Sequence, residues 1–106
     1  MKNKKPENYA AAYVTGIYPR CVEIGRKMGY AIALHGSVAR DLDLVAIPWT
    51  ADAAFSGHLL SAICEEFDIE PNCEVTIKPH GRKSWSLPLW WGAYIDLSIM
   101  PLIEGE

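Results

Sequence analysis

Asp41, Asp43 and Asp96 stand where core logic calls for apolar residues. Asp41 and Asp43 open the run D-L-D-L-V-A-I, and Asp96 lies between Ile95 and Leu97 in A-Y-I-D-L-S-I-M. Strand side chains alternate, so Asp41 and Asp43 share a face that Val45 and Ile47 are expected to continue inward. Tyr94, Asp96 and Ser98 share a face in the same way. If the two strands are neighbours, three carboxylates converge. Such a cluster repels itself, and half-buried carboxylates lose solvation. A divalent cation offsets both costs, and an oxygen-only donor set suits Mg²⁺ or Mn²⁺ better than zinc. An isolated D-x-D is common on surfaces, where Asp41 would begin a strand and Asp43 would pair with Arg40 or another base. An acid inside the I-D-L run of Asp96 is hard to place on a surface, and it shifts the balance toward a site.

His35-Gly36-Ser37 comes just before the acidic pair. Glycine permits close backbone approach, and the N–H groups of a tight turn after a strand can hold phosphate oxygens. The Ser37 hydroxyl and the Arg40 charge would add contacts; alone, the same residues read as a plain strand-ending turn. Lys78, His80, Arg82 and Lys83 form a basic patch that could meet a triphosphate or an acidic acceptor, and reads equally well as a solvated loop. Trp90 and Trp91 follow Pro88 and could stack a base or line a protein interface. Trp49 and Trp85 complete a set that is large for the chain length, and some of these rings must be core. Cys21, Cys64 and Cys73 show no C-x-x-C spacing, so they read as reduced, packed thiols rather than a zinc site or a disulfide framework.

These residues need elements to hold them. Ala10, Val14, Ile17, Cys21, Ile24 and Met28 recur at steps of three and four, which predicts a helix over residues 9–28 capped by Gly29. Pro19 requires that helix to kink or to restart with proline in its first turn. Residues 30–34 and 41–47 read as buried strands, the second ended by Pro48. Thr50 is placed to cap a second helix with its stripe at Phe55, Leu59, Ile63 and Phe67. Residues 70–72 read as a turn, and Cys73 to Lys78 alternate as a half-buried strand should. Residues 85–87 and 93–100 complete the strands. A single crossover helix argues against a doubly wound parallel sheet. The expected fold is α+β, a mixed or antiparallel sheet of about 4–5 strands with two helices packed on it.

The chain has 106 residues, 50% of them hydrophobic and 22% charged, which is globular composition and room for a single domain over 1–106. Residues 1–8 and 104–106 read as frayed ends. A net charge of −3 argues against a general nucleic-acid coat protein. No apolar run approaches the ~18 residues of a membrane span, and Pro6, Glu7 and Asn8 interrupt any signal peptide, so a cytoplasmic location is expected.

Together, A-L-H-G-S (Ala33 to Ser37), D-L-D-L-V (Asp41 to Val45) and Y-I-D-L-S (Tyr94 to Ser98) resemble the nucleotidyltransferase superfamily that includes DNA polymerase beta and the minimal nucleotidyltransferases. The whole chain also looks like small phage- or prophage-type proteins. The resemblance implies that Asp41 and Asp43 bind two Mg²⁺ or Mn²⁺ ions and that Asp96 binds the one near the attacking hydroxyl. It implies that Gly36 and Ser37 hold a nucleoside triphosphate, to which Arg40, and Lys78 and Arg82 from the basic patch, are expected to add positive charge. The implied reaction moves a nucleoside monophosphate to a hydroxyl of a protein, a nucleic acid or a small molecule, with help from a second copy or a helical partner protein. The chain departs from the family at one point: only Val38, Ala39 and Arg40 separate Gly-Ser from the acidic pair, where the family usually places a short helix. A catalytically inactive nucleotidyltransferase-like binding module is the alternative expectation.

Overall fold

The first helical segment passes through three geometries. In the computed structural model, which describes residues 8–70, 75–90 and 92–102, it begins as α1 (Ala10–Ala12), widens into a π-helical turn (Tyr13–Ile17) and continues as α2 (Tyr18–Lys27). Asn8 Oδ1 accepts the Ala10 N–H at 2.8 Å at its start. Pro19 sits in the first turn of α2, where its missing N–H costs little. The predicted restart at proline is therefore what occurs, with the wide turn as the joint. The buried face differs from the predicted stripe. It consists of Tyr9, Tyr13, Ile17, Cys21 and Gly25, each four residues from the last, while Val14 is 43% exposed. A step of four overshoots the 3.6-residue turn, so this stripe would wind off the face of a regular helix. The wide turn takes up the excess and keeps all five on one side.

Five strands form one mixed sheet: β1 (Tyr30–His35), β2 (Asp41–Pro48), β3 (Thr76–Ile77), β4 (Lys83–Pro88) and β5 (Tyr94–Ile99). The spatial order is β1-β2-β5-β4-β3. β2 and β5 run parallel, and the other pairs are antiparallel. Leu42, Leu44 and Ala46 of β2, Ile95, Leu97 and Ile99 of β5, and Trp85 and Leu87 of β4 join the helices in one core. The coarse α+β expectation, a mixed sheet with two helical segments packed on it, matches this architecture. Alternation sends the remaining strand residues to a second face that the helices do not cover. Val45 and Ile47 lie on that open face, not inward as expected: Ile47 is 43% exposed.

Three further differences have local causes. The second helix, α3 (Ser56–Glu66), starts six residues after Thr50, and Phe55 is an extended N-cap residue, 67% exposed. The intervening chain is tied to the turn before β1. Trp49 N–H donates to Gly29 C=O at 2.9 Å, Ala54 N–H to Met28 C=O at 2.9 Å, and the Tyr30 hydroxyl to Ala54 C=O at 2.7 Å. Those bonds hold residues 49–54 out of a helix. At the far edge, β3 has only two residues, and Val75 and Ile77 are exposed rather than half-buried. Among the described residues β3 pairs with β4 alone, which leaves it at the edge of the sheet. Cys73 and the predicted turn at 70–72, apart from Glu70, lie outside the described residues, as do Trp91 and most of both predicted frayed ends. At the opposite edge, the Tyr18 hydroxyl donates to the Ile32 C=O of β1 at 2.8 Å.

Candidate functional site

The open face carries one polar row that crosses four strands. His35 on β1 is the register partner of Asp43 on β2, Asp43 of Asp96 on β5, and Asp96 of Ser86 on β4. Direct partners in a ladder point to the same side, so these side chains stand in a line at the ~4.8 Å strand spacing. The neighbouring row contains Val45, Ser98 and Ser84. Ser98 Oγ donates to Ser84 Oγ and Ser84 Oγ to Asp96 Oδ1, each at a long 3.5 Å. Two buried hydroxyls thus line one side of the Asp96 carboxylate.

Asp43 and Asp96 are the electrostatic centre of the row. Burial pushes the Asp43 carboxyl above the usual carboxylate range, and the Asp96 charge beside it pushes in the same direction. His35 opposes the shift, while Asp41 and a side-chain hydrogen bond with Asp96 add to it. Among the described residues, neither carboxylate forms an ion pair with a lysine or arginine; the ion pairs there are Arg20–Glu66 and Arg26–Glu23. The pairing of Asp43 with Arg40 that would make the acids ordinary surface residues does not occur.

The turn from β1 to β2 closes on Asp43. Gly36 has φ +79°, and a Cβ built there would run into Asp43 Oδ2. Any larger residue would need both an unfavourable backbone and a displaced carboxylate. Val38 also has a positive φ, 52°. Ser37 Oγ accepts the Ala39 N–H at 3.3 Å, so the hydroxyl shapes its own turn. The first helical segment then clamps the loop. Tyr9 N–H donates to Ala39 C=O at 2.7 Å, and the Tyr13 hydroxyl donates to Arg40 C=O at 2.5 Å. Tyr13 also accepts the Tyr94 N–H at 3.2 Å, which joins helix, loop and β5 at one phenol. Burial is the main cause that pushes this phenol above its ordinary value; the Tyr94 N–H opposes it, and Asp41 adds to it.

The residues expected from sequence therefore divide. Asp43 and Asp96 come together, with Gly36 against Asp43 and Ser37 in the same loop. Asp41 shares their face but stands one row away, exposed, as the partner of Tyr94. Arg40 is exposed at the loop's end and contributes its carbonyl to Tyr13. Lys78 and Arg82 face each other across the β3–β4 hairpin, where Lys78 N–H donates to Arg82 C=O at 2.7 Å. Arg82 precedes Ser86 by four residues, so about 13 Å of strand separates it from the Asp96 row. Ser84 and Tyr13 carry no signal of a site in the sequence, and His35 enters there only as the start of the Gly36-Ser37 turn. Period two alone puts His35 and Ser84 on some face of their strands, but only the register reveals that it is the face of Asp43 and Asp96.

Two carboxylates with no lysine or arginine partner among the described residues form a hard, oxygen-only donor pair that fits Mg²⁺ or Mn²⁺. Among the described residues, no group of three His, Cys, Asp or Glu side chains is arranged to hold a metal ion. The pair thus offers two protein ligands, which suits an ion that keeps several waters or substrate oxygens. No helix among the described residues is long and apolar enough to cross a membrane. The chain matches no protein-family model, no curated protein and no solved structure.

Proposed function

We propose that the protein is a minimal metal-dependent nucleotidyltransferase, which moves a nucleoside monophosphate from a nucleoside triphosphate to a hydroxyl acceptor. The observation that carries this reading is the register pairing of Asp43 with Asp96 on adjacent parallel strands, with the Gly36 turn packed on Asp43. Asp43 and Asp96 would hold Mg²⁺ or Mn²⁺, with Asp41 one row away as a further donor. The metal would supply charge stabilisation to the entering and leaving oxygens. The loop of Gly36, Ser37 and Arg40 lies beside the pair and would bind phosphate. The transfer forms one bond, from the acceptor oxygen to the α-phosphorus. It breaks one, from that phosphorus to the bridging oxygen of pyrophosphate, which leaves with the electron pair. The acceptor proton passes to Asp96 or to solvent.

Thermal unfolding tests the reading, with Mn²⁺ and each of the four ribonucleoside triphosphates against wild type and Asp43→Asn. Ligand at ~100-fold over Kd adds about 2.7 kcal/mol, a shift of several degrees for a domain of this size. The expected result is a shift that needs both metal and nucleotide and is absent in the variant. Folded protein that responds to no nucleotide at millimolar concentration would refute it. Two observations favour the second reading, a non-catalytic module on the same scaffold. The three carboxylates do not gather around one point, and the Ser37 hydroxyl is engaged by its own turn.

A further inference from the structure

The basic hairpin has no part in the carboxylate row, and a cavity lies beside it. The cavity, about 360 Å³, is lined by Tyr30, Phe55, Ile99, Met100, Pro101 and Leu102, with Gly81, Lys83 and Ser56 as its other walls. That volume lies within the range of small-ligand sites, and the mixture of apolar walls with a few polar groups is their usual chemistry. The hairpin forms one wall: a Cβ at Gly81 would sit 3.5 Å from Pro101 Cγ. Phe55 is held at the rim by its extended conformation at the start of α3.

Lys83 is the informative residue. Its register partner is Ile99, and it alternates with Trp85 and Leu87, so it occupies a position on the core side of β4. Lys83 is exposed at the mouth of the cavity, and among the described residues it has no carboxylate partner. Ser56, which also lines the cavity, likewise donates no side-chain hydrogen bond to a described residue. Lys78 and Arg82 add positive charge on the same hairpin of a chain whose net charge is −3. Apolar walls select an apolar body, and an ammonium and a hydroxyl in the same lining select an anionic head.

We infer that this cavity binds a carboxylate carried on an apolar body of aromatic size, with Lys83 and Ser56 at the carboxylate and Tyr30, Phe55 and Met100 around the body. The inference does not depend on the activity of the Asp43–Asp96 row. The same chemistry occurs in a free aromatic acid and at the C-terminal phenylalanine of a peptide.

The test uses the full chain with ¹³C-labelled methionine methyls, titrated with 3-phenylpropanoate, its amide, a short peptide ending in phenylalanine, and the C-terminal amide of that peptide. Met100 reports on the cavity, and Met28, which lies in a separate surface groove beside Lys27 and Ala62, is the internal control. The expected result is that an acid moves the Met100 resonance and leaves Met28 in place, with each amide at least tenfold weaker. Lys83→Gln should weaken the acid about tenfold and leave the amide unchanged. Phe55→Ala, at an exposed position, should weaken both. Tighter binding of the peptide acid assigns a chain terminus as the source, and tighter binding of phenylpropanoate assigns a small molecule. Equal binding of acid and amide, a response confined to Met28, or no response from any probe at millimolar concentration overturns the inference.

Discussion

Replacing Asp43 with asparagine removes one charge from two facing carboxylates and keeps nearly the same shape. Two unit charges ~4 Å apart at an effective dielectric of 20 interact by about 4 kcal/mol. Both side chains are only half-buried, so solvent screening reduces the recoverable part to about 1 kcal/mol. The native carboxyl of Asp43 titrates above its unfolded value. Its favourable contribution is therefore present at acid pH, below the unfolded carboxylate value, and is lost as pH rises through the folded value. At pH 7 in chelator and low salt, Asp43→Asn should melt about 4 °C above wild type. The gap should close as pH falls toward 4, and it should shrink in 1 M salt, where the Debye length is ~3 Å. Saturating Mn²⁺ should reverse the order by stabilising only the wild type. Thermal melts across pH, followed by circular dichroism, provide all four comparisons. A variant that melts at or below wild type at pH 7 without metal would refute the reading of the pair as an uncompensated, repulsive site.

Other substitutions probe the supports of the site. Gly29→Ala places a Cβ on a residue with φ +88° and within 2.8 Å of Ala53 Cα, so urea unfolding should record a loss above ~2 kcal/mol. Asp68, at φ 59°, ends α3 in a left-handed cap in which Ile69 N–H donates to Cys64 C=O at 2.8 Å. Asp68→Gly should therefore stabilise the protein by about 0.5–1 kcal/mol in the same assay. Tyr13→Phe leaves the Arg40 carbonyl and the Tyr94 N–H without their shared partner, and should cost about 1–2 kcal/mol. Hydrogen exchange should then accelerate at the Tyr94 amide while the amides of α3 stay protected.

Period two needs only a short apolar run, so it places Asp41 and Asp43 together on one face of β2, but it turns that face inward, whereas the structure leaves it on the open side with Ile47 exposed. That β2 and β5 are neighbours could be supposed, but their parallel direction and the alignment of Asp43 with Asp96 depend on register rather than on composition. Asp41 shows the difference: the same alternation that places it on one face with Asp43 leaves it one row away from Asp96. The shift of α3 to Ser56 was hidden because Thr50 is a good cap in isolation. Hydrogen bonds from Trp49 and Ala54 to the Gly29 and Met28 carbonyls override that local preference. The wide helical turn was hidden for a related reason. Tyr9 and Tyr13 carry polar tips, so a hydropathy stripe passes over them, while the fold uses the rings for packing and the Tyr13 hydroxyl as a joint.

The Tyr18 hydroxyl has a consequence for how the protein behaves in a crowded solution. β1 ends one side of the sheet, and Tyr30 to Leu34 carry neither charge nor proline, which are the usual devices against strand-to-strand aggregation. The phenol instead occupies the Ile32 carbonyl, so an incoming strand would have to break that bond and push α2 aside before its own ladder could form. A single hydroxyl on the helix thus acts as a guard against runaway sheet growth, and leaves the strand itself free to be apolar.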